Sequence, residues 1–300
     1  MSSHENRDSD AGKGCDGEPS LHAERGDERI RVFRGGLPTP ILTQHAARDK
    51  RPFIHPILAP DGIGELTENE PGHHLWQHGL YVGLNAVNGV GFWTEGLDDK
   101  TRDRDGTFHP APLEDARIQG NSAGWRVASE WRAPCGEPML AETQDWALTN
   151  KRSEFQLDLN WTLRALTDAH FGQYPYGGLF LRMPYRAEAG GRAINSEGQR
   201  NGEAEAKRAR WTAIEMPVPG RDLCAERRCS VAFLDHPSNP EHPVAWRVDG
   251  QLGVSPSRCI AGEWSLGAGE STVSRYRLLF RCGAADLTRI EREWRRFAQT

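Results

Sequence analysis

Residues 155–165 read Phe155-Gln156-Leu157-Asp158-Leu159-Asn160-Trp161-Thr162-Leu163-Arg164-Ala165. Apolar and polar side chains alternate at every position. An extended chain points successive side chains to opposite faces, so this run makes one dry face and one wet face. A helix, with its 3.6-residue period, would scatter the same residues around its whole circumference. The stretch predicts a long, half-buried antiparallel strand, which needs partners along both edges to satisfy its backbone. Further strand candidates lie at 29–33, 79–84, 125–131, 139–148, 178–183, 211–215, 230–234 and 273–280, separated by Gly, Pro, Asn and Asp clusters. One helix stands out. Leu287, Ile290, Trp294 and Phe297 fall on one stripe among charged residues. Many strands and a single terminal helix predict an all-β fold, a large antiparallel β-sandwich with one C-terminal helix. Residues 1–27, almost without apolar side chains, read as a disordered tail, and 28–300 as a single β-sandwich domain.

Composition narrows the partners. Lys plus Arg number 37 against 42 Asp plus Glu, a net charge of −5, which argues against binding a nucleic-acid backbone. No window approaches the 18 or so apolar residues of a membrane-spanning helix, and the N-terminus has no apolar signal core. No membrane partner and a cytoplasmic location are therefore expected. The six cysteines have no zinc or thioredoxin spacing and read as free thiols. Ten tryptophans suit a β protein with flat apolar platforms of the kind that stack on sugars.

The densest chemical signal is Pro71-Gly72-His73-His74-Leu75-Trp76-Gln77-His78-Gly79, with three imidazoles in six residues. Imidazole exchanges protons near neutrality and is the commonest metal ligand. His74 and His78, four apart, share a face on either a strand or a helix. His55 and His236 each precede a proline, which biases them to extended backbone, and Asp235 adjoins His236. Arg182, on a strand that follows the aromatic turn at Tyr174 and Tyr176, needs a carboxylate or an anionic ligand if it points inward. Glu95 and Glu142 are candidates for a general base or a metal ligand, and equally for the polar face of a strand. No dinucleotide fingerprint, phosphate loop, HExxH or GxSxG is present, which disfavours nucleotide-cofactor redox and serine-hydrolase chemistry.

The stretches RPFIHPILAPDG (51–62), HHLWQHGLYVGLNAVNGVGFW (73–93), YGGLFLRMPY (176–185) and VAFLDHPSNPEHPVAW (231–246) resemble the bacterial DUF6807 family, from about Arg51 to Phe297. The matching positions include His55, His74, His78, His236, Gly177, Gly178 and Arg182, while Gln77 stands where some members carry another histidine. Members often bear the label methane oxygenase PmoA, although membrane methane monooxygenase subunits cross the bilayer and this chain has no segment to do so. The resemblance implies a galactose-mutarotase-like supersandwich and a setting in carbohydrate catabolism.

The resulting expectation is an enzyme of lyase, hydratase or epimerase type acting on a sugar or keto-glycoside. His74 or His78 serves as base, and His55 and His236 as acid partners or ligands. Arg182, Trp76, Trp93 and Tyr176 hold the substrate. Two rival expectations stand beside it. One is a non-catalytic carbohydrate-binding sandwich. The other is an oxygenase whose divalent metal is held by His74, His78 and Glu95 or Glu142.

Overall fold

The computed structural model describes residues 20–151, 153–184, 186, 188–250 and 253–300. Among them, eleven strands form one sheet and nine form another, and every ladder between these strands is antiparallel. The nine-stranded sheet is built around the strand that opened the sequence reading, Glu154–Ala165. It pairs with Pro138–Lys151 on one side and Ser271–Cys282 on the other. Its apolar set, from Phe155 to Ala165, is buried, while Asn160 and Arg164 are exposed. In the eleven-stranded sheet the central strands are Phe53–Ile57, Leu80–Val87 and Gly178–Arg182. Leu80, Val82, Leu84, Leu179 and Leu181 face the same core as Leu157, Leu159 and Leu163. Each such side chain contributes about 1.5–3 kcal/mol when withdrawn from water.

Alternation sends the intervening residues to the outer faces, and the two outer faces differ. On the nine-stranded sheet, Trp211, Ala213, Ala232, Leu234 and Leu279 make a second apolar cluster. The helix Leu287–Phe297 covers it, capped by the Asp286 carboxylate, which accepts the Arg289 N–H at 3.0 Å. Ile290 and Phe297 are buried as the stripe requires, but Leu287 is 39% exposed and Glu293 takes a buried place beside Arg296. On the eleven-stranded sheet the outer face carries a third cluster, Tyr81, Trp93 and Phe180, with Phe53, Trp76 and Tyr176 against it.

Part of the expected tail is a strand. Leu21–Arg25 is a strand paired with Arg29–Arg34, although it lies in the stretch read as tail. Leu21 is buried and the His22 ring stacks on Phe33 at 4.7 Å, so two contacts hold a segment whose composition is polar. Residues 1–19 of the expected tail lie outside the described residues.

Candidate functional site

Register places the site. His45 is opposite Phe53, Phe53 opposite Tyr81, and Tyr81 opposite Phe180, so one continuous rung of side chains crosses four strands on the outer face. His45 stacks on Phe53 (4.6 Å), and the other side of Phe53 stacks on His78 (4.7 Å). Two connections lie over this rung, 58–79 and 93–106, and bring Trp76 and Trp93 onto it.

Arg51 locks the two connections together. Its side chain is 1% exposed, with the guanidinium 4.1 Å from the Tyr81 ring centroid. It donates to the main-chain oxygens of Trp76 and Trp93, and to the Glu95 carboxylate at 2.9 Å. Glu95 also accepts the Arg51 N–H (3.0 Å) and faces His78 Nε2 (3.1 Å), while His78 Nδ1 meets Asn69 Oδ1 at 2.9 Å. Burial opposes ionisation of Glu95, but the Arg51 charge and the His78 hydrogen bond outweigh it and hold its carboxyl at about 2. Glu95 adopts φ +52, a left-handed conformation that costs a non-glycine residue free energy. Asp105 secures the turn by accepting from Thr94 Oγ1, Thr101 Oγ1 and the Gly96 N–H.

The aromatic residues expected to hold a ligand do meet. Trp76, Trp93, Tyr176 and Phe180 line a cleft of about 330 Å³, together with His74, Gln77, Arg247 and Asp249. Trp93 lies 4.7 Å from Tyr176, and His74 sits edge-on to Trp76 at 5.2 Å. Burial, then the charges of His73 and Arg182, lowers the His74 pKa against the pull of Asp249. Its Nδ1 is buried with no hydrogen-bond partner among the described residues. Arg247 is tied to Glu205 (2.6 Å) and Asp249 (2.8 Å), which balances its charge while leaving further guanidinium protons to donate.

The remaining candidates disperse. His78 lines a neighbouring cleft of about 450 Å³ with His45, Phe53, Glu70 and Glu95. His55 lines a third, of about 560 Å³, with Thr67, Glu68 and Asn69. Its Nδ1 meets Thr67 Oγ1 at 2.9 Å, and burial, reinforced by His45 and His78, holds it neutral with a pKa of about 4. Arg182 is wholly buried. Its guanidinium is gripped by Glu68 (2.8 and 2.6 Å) and donates to Gln77 Oε1 at 2.9 Å. It therefore braces Gln77, which lines the aromatic cleft, and faces protein partners where a substrate oxygen was expected.

His236 belongs to the other sheet. It follows Arg228–Asp235, accepts the Ser238 N–H, meets Arg275 Nη1 at 3.2 Å and packs edge-on against Phe297. Asp235 and His236, adjacent in sequence, turn to different partners. Asp235 binds His242 Nδ1 at 2.7 Å.

Glu142 is not on a polar strand face. It points into the inter-sheet core, accepting from Trp131 Nε1 (3.0 Å), Trp161 Nε1 (2.9 Å) and Gln144 (2.9 Å), and burial raises its pKa. The expected metal set of His74, His78 and Glu142 is thus spread over a cleft, its neighbour and the core. Among the described residues no group of three or more His, Cys, Asp or Glu is placed to hold a metal ion, so no chemical step is assigned to one. No helix among them is long and apolar enough to cross a membrane.

Sequence reasoning overlooked Arg51, Asn69, Arg247 and Asp249. The last two had a readable signal. Trp246-Arg247-Val248-Asp249 alternates, which puts both charges on the face opposite the core.

The sequence matches the family of unknown function DUF6807 over residues 34–295, and the chain belongs to that family. No curated protein matches it by sequence. Among solved structures it is similar to the GH36 α-galactosidase AgaA from Geobacillus stearothermophilus, with a TM-score of 0.40 and 8% identity over 88% of this chain and 41% of that one. It is also similar to the galactose 1-epimerase from Lactobacillus acidophilus NCFM, with a TM-score of 0.39 and 10% identity over 89% and 99% of the two chains. The Slr1438 protein from Synechocystis sp. PCC 6803 matches with a TM-score of 0.33 and 10% identity over 88% and 96%. The chain spans about two fifths of the length of the α-galactosidase it matches.

Proposed function

We propose that this DUF6807 member is a carbohydrate-active enzyme of lyase, hydratase or epimerase type, using His74 as a general base in the cleft walled by Trp76, Trp93 and Tyr176. The observation that carries the reading is the His74 ring itself. It is an imidazole on the cleft wall whose pKa is lowered by burial, which favours its neutral, proton-accepting form, and no group among the described residues occupies its Nδ1. His78 is less suited, because both of its nitrogens are engaged, by Asn69 and Glu95.

In this reading a sugar ring lies against the indole faces, and Arg247 and Asp249 sort its hydroxyls. His74 removes the proton from a carbon next to a carbonyl. The electron pair moves onto the carbonyl oxygen, toward the open donors of Arg247. It returns either to expel a β-hydroxyl, which leaves as water with the proton held by His74, or to take a proton back at the same carbon. Hydration is the first path in reverse, water adding to the conjugated double bond as His74 protonates the neighbouring carbon.

The test is turnover of a panel of sugars and keto-glycosides by His74→Ala, with binding followed by calorimetry. Loss of about 10²–10⁴-fold in kcat, with Kd and Tm kept, is the expected result. Unchanged turnover removes His74 from the mechanism. Binding by both proteins without turnover by either would make the cleft a recognition site alone. Because the pKa of His74 lies below the ordinary imidazole value of about 6.5, the neutral base persists into mild acid. The acid limb of kcat/KM is therefore expected below that value.

A further inference from the structure

We infer that Cys229 and Cys282 form an oxidisable dithiol, closed by an intramolecular disulfide across the Arg228–Asp235 and Ser271–Cys282 strands. The two are direct partners in the antiparallel register. The neighbouring pair is joined by Gly283 N–H to Arg228 O at 2.8 Å, and further along the same ladder His236 N–H reaches Arg275 O at 3.3 Å. Hydrogen-bonded and non-hydrogen-bonded pairs alternate along such a ladder. Counting from either bond, Cys229 and Cys282 fall on a non-hydrogen-bonded pair, where Cα atoms approach to about 4.5 Å and side chains lie closest. That spacing lies inside the range disulfides span.

Cys282 packs against the core cluster that contains Cys229. Their surroundings divide the labour. Cys229 is fully buried, whereas Cys282 is half-buried and reachable. The neighbouring Cys229 thiol favours the Cys282 thiolate against the cost of burial and the Asp61 N–H assists, so the Cys282 pKa is lowered. Burial and its partner push Cys229 up. Cys282 is therefore the attacking sulfur and Cys229 the resolving one.

With a small disulfide such as oxidised glutathione, the Cys282 thiolate attacks one sulfur, and the first glutathione leaves with the electron pair and takes up a proton. Cys229 then loses its proton and attacks the Cys282 sulfur, expelling the second glutathione, which is protonated in turn. Two protein thiols become one disulfide, and one oxidised glutathione becomes two reduced molecules.

Full-length protein is incubated with oxidised glutathione, alkylated, cut after Arg and Lys, and analysed by mass spectrometry. The expected product is a cross-link between peptides 229–247 and 282–289, reversed by dithiothreitol, with exposed Cys135 serving as the internal control for reagent access. In Cys229→Ser, Cys282 is expected to retain its glutathione adduct. A persistent adduct on Cys282 in the unaltered protein overturns the inference. So do free thiols at both positions while Cys135 is modified.

Discussion

The two sheets treat their outer faces in opposite ways. On the nine-stranded sheet, Trp211, Leu234 and Leu279 are sealed beneath Ile290 and Phe297 of the terminal helix. The nearby imidazoles are spent on structure: His236 on Ser238 and Phe297, His242 on Asp235. On the eleven-stranded sheet, Tyr81, Trp93 and Phe180 form an equally aromatic face, but loops lie over it in place of a helix and leave clefts between them. Both faces hold histidines beside aromatic rings. The two faces differ in whether the covering element uses up the histidine nitrogens. His236 is consumed, whereas His74 keeps a nitrogen without a partner among the described residues.

The comparison can be broken hardest at Arg51. Arg51→Met leaves Glu95 buried without its main counter-charge and cuts the ties to Trp76 and Trp93. A loss of about 3–5 kcal/mol in denaturant unfolding is expected, together with loss of ligand binding. A stable variant with an intact cleft would show that the loops close without it.

Acid titration is expected to have a smaller effect. His55 has its folded pKa lowered to about 4 from 6.5. The native state therefore binds fewer protons than the unfolded chain in that interval, and the stability present above 6.5 is lost as pH falls toward 4. Glu95, lowered from 4.5 to about 2, extends the loss through that lower window by the same sign. Unfolding midpoints at stepped pH should therefore decline in two overlapping stages. His55→Gln should flatten the upper stage alone, and an unchanged slope would place the titrating group elsewhere.

The smallest effect belongs to the sealed face. His236→Gln should cost about 1 kcal/mol through its hydrogen bonds and leave turnover untouched. A drop in kcat there would erase the distinction between the faces.

How much of this was legible depends on the range of the signal. Period-two alternation at 155–165 and the stripe Ile290, Trp294 and Phe297 are local, and both elements form where the pattern put them. Of the expected site residues, His74, Trp76, Trp93 and Tyr176 line one cleft, whereas His55, His78, His236 and Arg182 lie elsewhere. What failed depended on contacts far apart in the chain. Arg182 meets Glu68 across 114 positions, and nothing near either residue announces the other. The abundant tryptophans invited a reading as sugar platforms, yet Trp125, Trp131, Trp146 and Trp161 turn inward and donate their indole N–H groups to Gln44, Glu142 and Gln144. Glu142 was misplaced for the same reason. A polar residue in an alternating strand looks wet until the donors that satisfy it are known.

Arg51 holds its two loops through the carbonyl oxygens of Trp76 and Trp93, and its guanidinium also lies 6.0 Å from the Trp93 ring centroid. Every amino acid carries that oxygen, so the bond to position 76 is indifferent to the side chain there, whereas the Trp93 ring is itself buried against Tyr81 and Phe180. Frame and recognition surface are thereby uncoupled at position 76 alone. Selection can exchange the Trp76 ring for another shape, redirecting the cleft from one small molecule to another while the scaffold beneath stays the same.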